Sequence, residues 1–217
     1  MVEIAALDDG KRVAGTFSEL STTPGLPPLE QRLPDDLATP LTDLLERGGI
    51  ERTRFAAVET WAAALMLAQV DATGDPANGV DRALIRDFAD RPVRELEGAA
   101  AQLSIFDRLT EAQQRSMLAA VVRGSEAARK DPARLQRAWL AGDAATIEQS
   151  TREGFLADPA LRAALLTERN RRWAAALAPM LQEAPLPLVA VGTAHLVGPD
   201  GLAALLEAQG YRIRRLP

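Results

Sequence analysis

The sequence contains no cysteine, a single histidine and few aromatic residues. Without cysteine, the chain cannot form disulfides, use a thiolate nucleophile or bind zinc through sulfur. Because His195 is the only histidine, a His-Glu-x-x-His metalloprotease motif is excluded. Aromatic residues make up 4% of the chain, so alanine and leucine must fill much of the interior. This composition favours closely packed helices.

Further absences narrow the range of functions. The chain has no Gly-x-Ser-x-Gly nucleophile elbow, no Walker loop and no Gly-x-Gly-x-x-Gly motif. Its net charge is −5, and a dense basic cluster lies at residues 169–172, whereas a nucleic-acid binder needs a basic surface. No segment of the sequence is long and apolar enough to span a bilayer. We therefore predict neither a nucleic-acid partner nor a membrane span.

The length and the overall balance of residues are those of a globular protein. The 217 residues are 47% hydrophobic and 25% charged, which suffices for one domain with a core. We see no repeat, low-complexity tract or linker, so a single domain is predicted over residues 1–217. The acidic start lacks the apolar core of a signal peptide. A cytoplasmic location is expected from the sequence as given, and a periplasmic or envelope location if a leader lies upstream.

Helical patterns dominate the chain. Short strands are predicted at residues 2–7, 93–97, 186–191 and 211–216, and the proline-rich residues 8–34 are predicted to form a loop. Predicted helices cover residues 39–47, 55–71, 81–89, 102–109, 110–123, 132–141 and 158–182, with another after residue 199. We predict an α/β protein with an α+β tendency, in which a mostly helical domain surrounds a small, largely parallel sheet and ends in a β-α-β unit.

Two helix starts carry specific capping signals. Thr110, with Gln113 three residues later, matches the capping-box pattern. Asp158 precedes Pro159 at the start of the longest predicted helix, where proline suits the first turn.

The stretch at residues 186–216 is the most informative part of the sequence. A short apolar run is followed by a Gly-x-x-His motif made by Gly192 and His195, then by a helix and an alternating segment. His195 is thus predicted just past the carboxyl end of a strand, at the edge where open α/β sheets bind ligands. The glycine would let the chain turn closely and aim the imidazole over that edge. A structural, hydrogen-bonded histidine is the alternative interpretation.

Several ordered blocks carry a resemblance to a known family. They lie at residues 79–82, 95–97 with Gln102, 138–143 and 168–173, and they precede the Gly-x-x-His motif. Together they resemble the TraB/GumN family, to which the Tiki-type metalloproteases and erythromycin-esterase-like proteins are distantly related. Each block is weak alone, but the ordered set covers almost the whole chain.

One piece of the family pattern is absent. The family usually has an earlier strand that ends in a first Gly-x-x-His, whereas the nearest local match here, residues 15–18, ends in Ser18 and follows Glu3. The resemblance therefore implies a chain that is incomplete at its N-terminus. A parallel sheet that lacks one strand would expose ladder groups, so a homo-oligomer is expected.

The resemblance also implies a set of site residues. His195 falls on the family's second Gly-x-x-His, and Glu3 and Glu97 are the carboxylates to pair with it. An imidazole and two carboxylates suit a divalent metal such as Mn²⁺, Co²⁺ or Zn²⁺. Alternation puts Glu95 on the same face as Glu97, and the family pattern Leu-Glu favours Glu97. The alternative for both glutamates is a solvated acid at a strand end.

Three further residues complete the predicted site. Arg169 and Asn170 match the family's Arg-Asn core, and the planar guanidinium is suited to binding an oxyanion or a substrate carboxylate. Asp81 either caps the helix that follows it or holds a ligand from the outer shell. Trp61, Trp139 and Trp173 are expected in the core, because a chain with few aromatic residues tends to bury its large rings.

Two functions follow from these predictions. The first is a metal-dependent hydrolase or peptidase, with Glu97, Arg169 and His195 as catalytic residues and a small molecule or peptide as ligand. The second is a catalytically inactive relative that binds a ligand or partner, or acts in envelope or polysaccharide biology. The absent first histidine favours the second reading for the sequence as given.

Overall fold

The protein is described by a computed structural model, which covers residues 1–4, 10–72, 74–182 and 186–216. Helices of all kinds account for 63% of the described residues and strands for 2%. The α-helices are α1 Gly10–Leu20, α2 Ala38–Gly48, α3 Thr60–Ala68, α4 Val80–Asp87, α5 Ala99–Asp107, α6 Glu111–Lys130, α7 Arg134–Leu140, α8 Ala144–Ser150, α9 Pro159–Arg162, α10 Glu168–Met180 and α11 Leu202–Glu207. Short 3-10 helices lie at Leu29–Arg32, Asp35–Leu37, Arg52–Phe55, Pro76–Asn78, Gly154–Ala157 and Thr193–His195, and a π-helical turn lies at Ala163–Thr167.

The chain divides into two compact units. Unit 1 consists of Met1–Leu7, Asp75–Gly98 and Leu135–Pro217, and unit 2 of Asp8–Gly74 and Ala99–Arg134. Each unit is assembled from segments that are distant in the sequence. The single domain expected from the composition stays a prediction.

Unit 2 has an apolar core built on the pair of helices α3 and α6. Helix α3 is rich in alanine, and this lets α6 approach closely, as the low aromatic content predicted. Trp61 of α3 is fully buried, stacked on Phe106 and in edge contact with Phe17. The Gln114 side chain of α6 accepts the Trp61 backbone N–H at 3.0 Å and donates to the Leu109 carbonyl. The buried amide of Gln114 therefore has a partner for both its oxygen and its nitrogen.

Unit 2 also buries an arginine. Arg32, at the end of the 3-10 helix Leu29–Arg32, has only 1% of its surface exposed. Its guanidinium donates to the carbonyls of Pro27, Phe55 and Val58 at 2.8, 3.1 and 2.5 Å. These bonds tie the proline-rich segment to the chain that enters α3.

Unit 1 packs its apolar core between α10 and α11. Trp173, Leu177, Leu202 and Leu206 are the large members of this core. The long helical stretch starts at Asp158, whose carboxylate accepts the backbone N–H groups of the first turn, as predicted. The stretch is interrupted by the π-helical turn, and π turns often occur at functional sites.

The predicted parallel sheet is wrong. In the part of the chain that the structure describes, the backbone of unit 1 forms isolated parallel bridges from Val2 to Glu95 and to Ala190, and no sheet. Pro187 in the third segment has no N–H to donate. Residues 211–216 carry three arginines, make no strand and are exposed apart from the half-buried Tyr211. Residues 5–7 of the first predicted strand lie outside the described residues.

The helix predictions fared better than the strand predictions. The capping box at Thr110 and Gln113 is confirmed, and α6 continues to Lys130. The loop predicted for residues 8–34 is wrong in its first half, because α1 occupies Gly10–Leu20 before the first proline at Pro24. No helix among the described residues is long and apolar enough to cross a membrane.

Candidate functional site

The centre of the candidate site is the Arg169 guanidinium, in the first turn of α10. Arg169 is 6% exposed and lies in unit 1. Its Nε lies 2.9 Å from Glu97 Oε2, and its Nη2 lies 2.8 Å from the same oxygen. Nη2 also reaches Glu3 Oε2 at 3.2 Å. One guanidinium therefore pairs with two carboxylates from separate segments of the chain.

The remaining edge of the guanidinium faces groups that are not acids. Nη1 donates to the Leu165 carbonyl, in the π-helical turn, at 3.1 Å. Nη1 also lies 3.3 Å from His195 Nε2. An arginine has five N–H groups and no acceptor, so protein acceptors here engage every nitrogen of Arg169.

Both carboxylates have a second partner. Glu3 Oε1 accepts the backbone N–H of Gly192 at 2.7 Å, which links the start of the chain to the Gly-x-x-His segment. Glu97 Oε1 accepts from Arg172 Nη2 at 3.2 Å. The Glu97 side chain is 7% exposed and that of Glu3 is 22% exposed.

The contacts of His195 define its tautomer. Its Nδ1 lies 2.5 Å from Asn170 Oδ1, and the Asn170 amide nitrogen donates to the Asp200 carbonyl at 2.7 Å. The amide oxygen of Asn170 is thus an acceptor, so Nδ1 carries the proton. Because arginine can only donate, Nε2 must accept from Arg169. The imidazole is neutral and both of its nitrogens are engaged.

An indole ring covers the cluster. The Trp173 ring lies 4.5 Å from the His195 ring, centroid to centroid, and 4.6 Å from Arg169 Cζ. Burial and, to a smaller extent, the positive charge of Arg169 together lower the pKa of His195 to about 3. His195 is therefore uncharged at neutral pH.

Two glycines shape the backbone around the histidine. A Cβ on Gly192 would lie 3.4 Å from Glu3 Oε1 and 3.8 Å from the His195 ring, so the expected close approach is present. A Cβ on Gly201 would lie 2.5 Å from the Val197 carbonyl, which leaves no room for a side chain. Gly201 caps α11 and follows Asp200, the residue whose carbonyl holds Asn170. The sequence analysis did not single out Gly201.

The structure brings most of the predicted site residues together. Five of them form one connected group, called the Arg169 cluster from here on: Glu3, Glu97, Arg169, Asn170 and His195. Glu95, the rejected alternative to Glu97, is exposed. The sequence analysis gave Arg172 no role in the site and did not connect Trp173 with the histidine.

Asp81 lies outside these hydrogen bonds. It stands in the first turn of α4, whose cap position is held by Gly79, so Asp81 is not the cap. Partial desolvation and the negative charge of Glu3 raise the pKa of Asp81. Its role as an outer acid stays a prediction. The expected burial of all three tryptophans is wrong for Trp139, which is 47% exposed.

The Arg169 cluster differs from a metal centre in what occupies its middle. No group of three His, Cys, Asp or Glu side chains that could hold a metal ion occurs among the described residues. The position between Glu3, Glu97 and His195 is filled by the Arg169 guanidinium. These side chains, as arranged, do not fit a divalent ion, and metal binding stays a prediction that requires Arg169 to move away.

Comparison with known proteins gives one match. A family model described as the TraB/PrgY/gumN family matches residues 1–215, which is nearly the whole chain, and the chain therefore belongs to this family. No curated protein and no solved structure matches.

Proposed function

We propose that this member of the TraB/PrgY/gumN family is a ligand-binding protein without hydrolytic activity, in which the Arg169 cluster holds unit 1 together. The observation that carries the proposal is the complete internal use of two side chains. Every nitrogen of Arg169 and both ring nitrogens of His195 bond to protein groups.

The arginine takes the place that a metal ion would hold in a hydrolase. Its positive charge compensates Glu3 and Glu97 and is fixed by the short contacts to both. A substrate anion could reach the guanidinium only by displacing one of these carboxylates, which would leave an acid poorly solvated. Arg169 therefore acts as an internal counter-ion and not as an anion receptor.

The histidine is committed in the same way. A general base or a metal ligand must present a free lone pair, and the lone pair of His195 Nε2 accepts from Arg169. Its Nδ1–H is held by Asn170. In this arrangement His195 links α10 to the segment that precedes α11.

A metal-dependent hydrolase or peptidase is the second candidate. It is favoured by the convergence of Glu3, Glu97 and His195 on one cation position. The binding protein is the better-supported reading, because that position holds a guanidinium whose departure would break its bonds to both carboxylates, the histidine and the Leu165 carbonyl.

The single histidine allows a direct test by ¹⁵N nuclear magnetic resonance. The ring nitrogens of His195 give the only histidine signals in the protein, so no assignment is needed. We expect the Nδ1-protonated tautomer at neutral pH. We also expect no change in these signals when Zn²⁺ is added, and no paramagnetic broadening with Co²⁺ or Mn²⁺.

The opposite result would identify the second candidate. A stoichiometric shift of Nε2 with Zn²⁺, lost in Glu97→Gln and retained in Glu95→Gln, would show that Arg169 yields its place to a metal ion. The two glutamates form a matched pair, because they lie two residues apart, Glu97 contacts Arg169 and Glu95 is exposed.

A further inference from the structure

Unit 1 contains a cavity, and some of its lining residues are neighbours in sequence of residues in the Arg169 cluster. Its volume is about 420 Å³, within the range of about 300–1,000 Å³ that is usual for small-molecule sites. Leu84, Ile85 and Phe88 of α4 and its C-terminal cap line one part of it. Val2 lines the cavity too, and the next residue, Glu3, is bonded to Arg169.

The lining is apolar and unusually exposed. Val93, Leu186 and Leu188 all line the cavity, with 37%, 70% and 51% of their surface accessible. A group of large apolar side chains with this much exposed surface is typical of a binding surface. The apolar part of a ligand would cover them.

The charged side chains that line the cavity are positive. Arg91 and Arg94 are its charged lining residues, and no acid lines it among the residues that the structure describes. The Arg91 guanidinium lies 5.3 Å from the centre of the Phe88 ring. Neither arginine makes an ion pair with a carboxylate in the described part of the chain. Two cations beside apolar walls suit a ligand with an anionic head and a hydrocarbon body.

We infer that this cavity binds an amphipathic carboxylate of the fatty-acid class. Arg91 and Arg94 hold the head group, while Leu84, Phe88 and Leu188 contact the chain. The inference rests on the proposed function, since it names the ligand class of a binding protein. It assigns the ligand to a different surface from the Arg169 cluster.

Calorimetric titration of the intact protein with decanoate, below its micelle concentration, tests the inference. We expect one molecule bound per chain and a preference for one length in a series from octanoate to tetradecanoate. The variant that combines Arg91→Gln with Arg94→Gln should bind decanoate roughly tenfold or more weakly, because both charge-assisted contacts are lost. Decanol, which lacks the charge, should bind the wild type weakly and the double variant equally weakly.

Arg86→Gln is the matched control. Arg86 belongs to the same helix, is 75% exposed beside Asp87 and does not line the cavity. Its substitution should leave decanoate affinity unchanged. Circular dichroism must show that all variants are folded.

Three results would overturn the inference. The first is no binding of any acid in the series, and the second is an equal loss of affinity in Arg86→Gln. The third is a dimer, seen by sedimentation, that Leu188→Ser dissociates, together with a failure of the acids to bind. A second copy of the chain would then cover the apolar wall of the cavity. If the acids do not bind and the histidine signals do not change with metal ions, only the proposed ligand class is wrong. A metal-induced histidine shift would remove the proposed function itself.

Discussion

Unit 1 and unit 2 each bury an arginine, and they neutralise its charge in different ways. In unit 2, Arg32 donates to the backbone carbonyls of Pro27, Phe55 and Val58. In unit 1, Arg169 pairs with the carboxylates of Glu3 and Glu97. Carbonyl dipoles are fixed by the local fold, whereas carboxylates carry a charge that must itself be compensated.

This difference determines how sensitive each unit is to the removal of its buried arginine. Burial lowers the pKa of Arg32, and no carboxylate is bonded to it in the described chain, so its removal leaves only neutral acceptors behind. Removing Arg169 leaves the Glu97 side chain, 7% exposed, next to Glu3 without their shared counter-ion. The polar core of unit 1 should therefore be more sensitive to single substitutions than the polar bonds of unit 2.

Arg169→Met is the substitution with the largest expected effect. It should lower the free energy of unfolding by about 3–5 kcal/mol, as expected when one member of a buried ion pair is removed. Urea denaturation followed by circular dichroism measures this loss. Adding Glu97→Gln to the same variant should recover part of it, because the amide removes the uncompensated charge. A loss below about 1 kcal/mol would mean that the carboxylates are well solvated.

The pH dependence of stability is the second test of the comparison. The folded-state pKa of His195, about 3, lies below its ordinary value of 6.5, so the unfolded chain takes up the proton first as the pH falls. The contribution of His195 is fully present above about pH 6.5 and is lost as the pH drops towards 3. Its slope approaches about 1.4 kcal/mol per pH unit.

His195→Gln isolates this contribution. The variant should unfold with a flatter dependence on pH between about pH 6 and 4 than the wild type, as measured by urea denaturation at each pH. Arg32→Met should keep the wild-type slope, since it lies in unit 2. Equal slopes for the wild type and His195→Gln would show that the pKa of the imidazole is not lowered in the folded protein.

Local signals in the sequence predicted local structure well. The capping box at Thr110 and the Asp158 cap act within three residues, and both are present. The sheet failed because strand pairing depends on distant partners. The segments around Val2, Glu95 and Ala190 come together, but their pairing stops at single bridges.

The sequence predicted which residues form the candidate site, but not how these residues interact. Family resemblance selected Glu97 over Glu95, a choice that alternation alone leaves open. The partners of Arg169 lie 166 and 72 residues away, and nothing in the spacing shows that a guanidinium would stand among the acids. The same limit applies to Trp173, whose contact with His195 depends on how α10 packs.

Arg32→Met should have a smaller effect than Arg169→Met. It leaves the buried carbonyls of Pro27, Phe55 and Val58 without a donor, which costs about 1–3 kcal/mol. The measurement is again urea denaturation. No substitution of a neighbouring acid should rescue this variant, because no bonded carboxylate is left uncompensated. A rescue by Glu111→Gln, the acid whose charge raises the pKa of Arg32 most, would contradict the distinction between the two arginines.

Substitutions of the helix caps should give the smallest losses of stability. These losses should be equal in the two units. Thr110 Oγ1 accepts the Gln113 N–H at 3.3 Å in unit 2, and Asp158 Oδ1 accepts the Ala160 N–H at 2.8 Å in unit 1. Thr110→Ala and Asp158→Ala should each cost about 1 kcal/mol, because a cap acts only on its own first turn. Thermal and urea denaturation of both variants test this equality. If Asp158→Ala cost about 3 kcal/mol or more, the cap would also be holding the π-helical turn that presents the Leu165 carbonyl to Arg169, and the sensitivity of the Arg169 cluster would extend to the start of its helix.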